Sequence, residues 1–233
     1  MTEALRAEGH ARLTAAESGA LVAPYGDALA ALAPSWNTLP QDLYLRDGGT
    51  YRSRRHACFV QELEPPALVH APPRAHWQPT TYNALHGGLE RWFEPVADEI
   101  AASPAWTHLL IGLGTVFAAL RPVPRWYIEA HQFRIDTASG IGRPTPEGAH
   151  RDGVDYIAIL LVDRVRVLGG ETRVFPAESG HGVRFTLAEP WSALLLDDAR
   201  VVHETTPIQS ATSAPGWRDT LVLTYRAAGF QSP

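Results

Sequence analysis

His150 and Asp152 stand two residues apart in Pro144-Thr145-Pro146-Glu147-Gly148-Ala149-His150-Arg151-Asp152-Gly153, at the entrance to an apolar run that reads as a strand. Side chains at i and i+2 of a strand point to the same side. An imidazole and a carboxylate can therefore converge on one cation without backbone distortion. A third donor must come from elsewhere, and His203, in Ala199-Arg200-Val201-Val202-His203-Glu204, follows another apolar run. Two imidazoles and one carboxylate on one face of an octahedron leave three positions open, the donor set of non-haem Fe(II) centres. A lone His-x-Asp is weak, and it gains weight from Arg218, fifteen residues beyond His203. In an extended run Arg218, Thr220, Val222, Thr224 and Arg226 share one face. An arginine entering beside a metal can grip a carboxylate by a bidentate pair.

Composition narrows the chemistry further. All 20 basic residues are arginine, and there is no lysine. Schiff-base enzymes and P-loop nucleotide hydrolases are excluded. Any anion held by a permanently charged side chain is held by arginine. The single cysteine, Cys58, excludes disulfide frameworks, cysteine-rich zinc sites and iron–sulfur clusters. A metal must use the ten histidines and the carboxylates. A net charge of −5 with no basic run gives no footprint for nucleic acid. No apolar run reaches the roughly 18–20 residues of a membrane helix. Met1 to His10 carries Glu3 and Glu8 and lacks an apolar signal core, so a cytoplasmic location is expected.

The elements that must position these residues divide near residue 125. Before it, helical spacing is common. Thr14-Ala15-Ala16-Glu17 is a capping-box pattern. Leu29, Leu32 and Trp36 form one face of a second short helix. Asp47-Gly48-Gly49 is a turn between Leu43–Arg46 and Thr50–Gln61. Arg52, Arg54 and Arg55 in that second run read as a solvated strand face or as a pocket wall facing an anion. Leu85, Leu89, Trp92, Phe93, Val96 and Ile100 predict an amphipathic helix over Tyr82–Ala102. A buried helix over Trp106–Leu120 is weakened by Gly112 and Gly114. After residue 125 short runs dominate: Trp126–Ile135, Tyr156–Val162, Thr172–Phe175, Gly182–Leu187, Ser192–Leu196, Val201–Thr205 and Thr220–Arg226. Strands separated by Gly and Pro predict a sandwich or barrel flanked by the earlier helices.

Over roughly residues 40 to 228 the chain resembles the bacterial 2-oxoglutarate/Fe(II)-dependent dioxygenases that include free L-amino-acid hydroxylases of the L-isoleucine type and biofilm- and stress-associated homologues. The resemblance rests on Gly48-Gly49-Thr50-Tyr51-Arg52, Glu129-Ala130-His131-Gln132-Phe133-Arg134-Ile135 and the Pro144–Tyr156 segment. Gly169-Gly170-Glu171-Thr172, His203-Glu204-Thr205-Thr206-Pro207 and Arg218-Asp219 follow in order. It implies a mainly β fold with flanking helices, a double-stranded β-helix or cupin-like jelly roll. One dioxygenase domain would cover 1–233: an N-terminal helical extension (1–36), flanking helices and strands (37–124) and the jelly-roll core with the metal site (125–228). The resemblance also implies Fe(II) on His150, Asp152 and His203, with 2-oxoglutarate and O2 as co-reactants. The distal carboxylate of 2-oxoglutarate would pair with Arg218, assisted by Thr220 or Thr172, with Arg226 the competing choice. The implied reaction hydroxylates a small molecule, foremost a free L-amino acid, releasing succinate and CO2. Halogenating relatives lack the metal-binding carboxylate, so Asp152 points to hydroxylation. The alternatives are a non-catalytic metal-binding sensor and a hydroxylase of a peptide or protein residue.

For the substrate, Arg134 is a candidate carboxylate anchor if its face turns inward. His131, on the other face with Tyr127, Glu129, Phe133 and Ile135, is either a substrate contact or a core histidine. Asp155 and Glu171 are candidates for an ammonium group, with strand parity open. His181 reads as solvated, Cys58 as buried and inert, and Trp92 and Trp126 as core.

Overall fold

The computed structural model describes residues 1–83, 85–178 and 181–233. Ser179 and Gly180 of the expected turn before His181 lie outside them. The chain opens with helix α1 (Thr2–Glu8), strand β1 (His10–Leu13) and helix α2 (Ala15–Leu21). Thr14 caps α2 as its pattern predicts. Its hydroxyl accepts the Glu17 amide, and the Glu17 carboxylate accepts the Thr14 amide. A 3-10 helix over Gly26–Thr38 buries Leu29, Leu32 and Trp36. Strands β2 (Arg52–Leu63) and β3 (Pro66–His70) precede helices α3 (Asp98–Ala101) and α4 (Pro104–Ala118). The second half supplies β4 (Arg125–Asp136), β5 (Tyr156–Val165), β6 (Val167–Gly169), β7 (Thr172–Pro176) and β8 (Val183–Phe185). Strands β9 (Ala193–Asp197), β10 (Val201–Thr205), β11 (Ile208–Ser210) and β12 (Trp217–Arg226) complete it.

A seven-stranded sheet runs in the order β1-β9-β5-β12-β4-β2-β3. A three-stranded sheet, β10-β7-β8, and the pair β11-β6 accompany it. One face of the large sheet buries Trp126, Ile128, Leu160, Leu195, Leu221 and Leu223 against Leu109, Leu110 and Phe117 of α4 and Trp36. The other face packs Ile157, Leu161, Leu194 and Leu196 against Val174 of β7 and Val201 of β10. Two facing sheets with helices outside form the mainly β jelly roll anticipated above. The sheets do not close into a continuous barrel.

Buried polar groups bolt the helical layer to the sheet. Trp126 Nε1 donates to the Gly114 carbonyl and Tyr225 Oη to the Leu110 carbonyl, each at 2.9 Å. Trp36 Nε1 is shared between the Phe133 and Thr220 carbonyls, 3.2 Å from each. The two glycines that weakened the α4 reading are explained by close approach. A Cβ at Gly114 would collide with the Gln61 side chain, and one at Gly112 with the Leu21 carbonyl.

The structure corrects several expectations. Among the described residues of Tyr82–Ala102, Asp98–Ala101 alone is helical. Pro95 would break the hydrogen-bond ladder, Gly88 has φ +73°, and a Cβ at Gly87 would strike the Asn83 carbonyl. Trp92 is exposed, whereas Trp126 is core. Leu43–Arg46 forms turns. Strands β1, β3, β6 and β11 were unmarked by alternation, and the Gly182–Leu187 run shortens to β8 with Val183 exposed. No helix is long and apolar enough to cross a membrane among the described residues.

Candidate metal centre and its cavity

Antiparallel register places the site. Arg52 of β2, Ile135 of β4 and Arg218 of β12 are cross-strand neighbours, as are Arg54, Phe133 and Thr220, then His56, His131 and Val222. Residues opposite each other share a face, so these rows, His56 aside, form one wall of a cavity of about 130 Å³. Gln78, Asn83 and Arg91 form another side, the last two from the segment expected to be helical. The third side is Thr145, Glu147, His150 and Asp152, with His203 and Thr205 of β10.

His150 and His203 exchange backbone hydrogen bonds of 3.1 and 3.0 Å as an isolated antiparallel bridge. The bridge brings together donors 53 positions apart in the chain. Asp152 then reaches both: Oδ1 lies 3.7 Å from His150 Nε2, and Oδ2 lies 3.6 Å from His203 Nε2. These gaps are too long for hydrogen bonds and short enough for one ion to span. His150 Nδ1 meets the Gly148 carbonyl at 2.9 Å, which leaves Nε2 as the metal-facing atom. His203 Nε2 is buried with no hydrogen-bond partner. An orphaned imidazole nitrogen beside a carboxylate is what a metal donor set requires.

The loop carrying Asp152 is held by a residue with no sequence signal. Asp198, fully buried, accepts the backbone amides of Asp152, Gly153 and Val154 at 3.0, 2.8 and 3.1 Å. Burial and the neighbouring Asp152 charge both push its carboxyl upward. Gln78 Nε2 donates to Asp152 Oδ1 at 3.0 Å, and Gln231 Nε2 donates to the Asp152 and Gly153 carbonyls.

Arg218 is buried in the same cavity, and its Nε and Nη2 have no protein partner. Thr220 lines the cavity beside it. Arg226 turns away and donates to the Gly229 carbonyl at 2.8 Å. Thr172 is buried but outside the cavity lining, and its cross-strand neighbour Thr205 lines it instead. Of the substrate candidates, only His131 lines the cavity. Arg134 faces the opposite side of β4 and forks onto Asp219 at 2.8 and 2.6 Å. Asp155 is engaged by Arg121 and by the Ala227 amide, and Glu171 by Arg173 at 2.9 Å. None of these three lines the cavity; strand parity accounts for Arg134, and ion pairs elsewhere hold Asp155 and Glu171. Arg52 and Arg54 form a cavity wall and not a solvated face, while Arg55 points outward to Glu94. His181 is exposed and Cys58 buried.

The family model for 2OG-Fe dioxygenases matches residues 33–224. The chain belongs to the 2OG-Fe dioxygenase family. A crystal structure of a bsmA homolog from Methylobium petroleophilum PM1 is 56% identical, with all of this chain and 94% of that one covered and a TM-score of 0.95. IDO from Bacillus thuringiensis is 17% identical, covering 97% and 94% of the two chains, with a TM-score of 0.77. The Fe(II)/(alpha)ketoglutarate-dependent dioxygenase TqaL is 18% identical over 97% and 85%, with a TM-score of 0.73. The last two likenesses concern the fold. No curated protein matches the chain.

For a 2OG-Fe dioxygenase the resident metal is Fe(II), and 2-oxoglutarate and O2 are co-reactants. The His150–Asp152–His203 set fits that ion in donor type and convergence. A second convergence stands beside it: His56, His76 and His131 surround Glu129. His76 Nδ1, His56 Nε2 and His131 Nε2 lie 2.6, 3.1 and 3.8 Å from the same carboxylate oxygen. Arg54 Nη2 is 2.7 Å from His131 Nδ1, and its guanidinium lies between the Phe93 and Phe133 rings. With Arg54 and Arg91 raising the local positive potential, this cluster is a buried anion hub. Burial first, then the Arg91 and Arg54 charges, outweigh Glu129 and hold His76 down at about 4.

His86 is likewise held down at about 4, by burial and then by Arg52 and Arg91. Its ordinary value is 6.5. The unfolded chain therefore binds protons that the folded chain refuses as pH falls from about 6.5 to about 4. Stability should decline with falling pH across that window. Thermal melts should show the decline, and it should be shallower in His86→Gln. An equal slope in that variant would refute the assignment.

Proposed function

We propose that the enzyme hydroxylates a small molecule, foremost a free L-amino acid, with conversion of 2-oxoglutarate to succinate and CO2. One observation carries this reading. The metal donors and the unpartnered Arg218 line a single cavity, so a carboxylate ligand held there meets the metal site. His150, Asp152 and His203 would hold Fe(II), which supplies O2 activation when bound. Arg218 would pair with the distal carboxylate of 2-oxoglutarate, with the Thr220 hydroxyl on the same strand face beside it. Ile135, Ile159 and Val222 give the cavity an apolar part of its wall, suited to an aliphatic side chain. The protein's share is to orient the reactants and exclude water.

Succinate formation across a panel of free L-amino acids, with Fe(II) and 2-oxoglutarate supplied, tests the proposal. At least one aliphatic member should raise succinate severalfold above the substrate-free rate and gain one oxygen by mass. If none does, or if a peptide does so in their place, the amino-acid assignment fails.

A further inference from the structure

Among the described residues four arginines are buried: Arg52, Arg54, Arg91 and Arg218. Asp42 compensates two of them, 2.7 Å from Arg52 Nε and 3.8 Å from Arg54 Nη1. Arg91 and Arg218 have no carboxylate within 4.0 Å among the described residues. A buried guanidinium without an anion is costly. Both line the same cavity, and burial pulls both down to about 10. Arg218 answers to the distal carboxylate of 2-oxoglutarate. Arg91 is a second cation of the same kind, answering to a second carboxylate.

Arg91 is 2% exposed, its Nη2 donates to Gln78 Oε1 at 3.0 Å, and its Nε has no partner. The same Gln78 amide donates to the metal ligand Asp152. Arg52 Nη2, also without a partner, belongs to the same wall. Across the cavity Glu147 shows the opposite shortage. Its Oε2 is buried and accepts nothing, while Oε1 lies 3.6 Å from His150 Nε2. Glu147 acts on Arg91 electrostatically, but the two are not in contact. A cation and an anion that face one cavity beside the metal donors without touching are complementary to a ligand carrying both charges.

We propose that Arg91 and Glu147 are the two ends of a zwitterion receptor, Arg91 with Arg52 holding the substrate's α-carboxylate and Glu147 its ammonium. This rests on the amino-acid reading above and restricts it: both ends of the substrate must be free. Residues inside a peptide, amides and N-acylated amino acids are excluded, and the apolar wall receives the side chain.

The probes are L-isoleucine, L-leucine, L-valine and L-methionine, each with its carboxamide and its N-acetyl derivative, added to the anaerobic Fe(II)·2-oxoglutarate holoenzyme. Binding is read from the change in the visible absorption band, and turnover from succinate. A free amino acid that binds should lose roughly 30-fold or more in affinity when either end is blocked. Arg91→Gln should raise the KM for that amino acid and leave the KM for 2-oxoglutarate unchanged. Arg91→Lys should recover part of the loss, and Glu147→Gln should act on the amino acid alone. If the blocked derivatives bind as well as the free form, the receptor is refuted while the amino-acid reading stands. If Arg91→Gln shifts the 2-oxoglutarate KM instead, Arg91 is reassigned and the receptor is refuted. If no free amino acid binds, both fall. The blocked derivatives are tested on the unmodified protein, so a folding defect in a variant cannot mask the answer.

Discussion

His150→Ala is expected to abolish the visible band that Fe(II) and 2-oxoglutarate give together under anaerobic conditions, and with it all amino-acid-dependent succinate formation. The reason is geometric. His150 supplies one of three donors, and its Nε2 has no hydrogen-bonding duty to the protein, since Nδ1 alone meets the Gly148 carbonyl. Its backbone pairing with His203 does not depend on the side chain. The variant should therefore keep the near-ultraviolet circular dichroism of the parent while losing metal. Loss of an outer residue that merely orients a ligand costs about 10–100-fold in metal affinity. Loss of a donor from a three-donor set should exceed that. A band of undiminished intensity in His150→Ala at saturating Fe(II) and 2-oxoglutarate would remove His150 from the metal.

The second large effect concerns the cosubstrate. Arg218→Ala should raise the 2-oxoglutarate requirement steeply, and Arg226→Ala should change it less than about twofold. Arg218 is buried with two unpartnered nitrogens facing the cavity side of β12. Arg226 is engaged with the Gly229 carbonyl outside it. Truncating one partner of a buried, hydrogen-bonded charge pair costs about 2–5 kcal/mol. That corresponds to roughly 30-fold to several thousand-fold in affinity. Steady-state KM for 2-oxoglutarate, measured on both variants, decides between them. The reverse order would transfer the role to Arg226. The effects of Arg218 and Arg91 should also separate cleanly, one acting on the cosubstrate and the other on the amino acid.

His150 with Asp152, and Arg218 with Thr220, were legible because each pair depends only on i, i+2 spacing, whereas His203 is brought to its partners by a bridge across 53 positions. His150 and Asp152 share a side, as do Arg218 and Thr220, whatever lies across from them. The apolar strands of the second half were legible for the same reason. Parity also shows why Arg134 failed: the register of β4 turns His131 inward and sends Arg134 to Asp219. Other features depend on contacts between distant segments. Asp198 gathers three amides of the metal loop from 44 to 46 positions away. His56 and His76 meet Glu129 across 73 and 53 positions. No local spacing announces such meetings. Arg91 was hidden in an additional way. Its segment carries apolar residues at helical intervals, although its glycines and Pro95 forbid a helix. Glu147 offered the one available hint, a carboxylate three residues before a metal histidine.

The central position of β12 sets an order of assembly. In the large sheet β1, β9 and β5 lie on one side of it and β4, β2 and β3 on the other, yet it is the last strand of the fold to leave the ribosome. Until Trp217–Arg226 is available the two halves have no shared backbone ladder. Pairing across such sequence distances is slow to nucleate, and half-formed sheets expose edges that invite aggregation. The same ten residues carry Arg218. A nascent chain that already holds both metal histidines therefore lacks the residue proposed to retain 2-oxoglutarate.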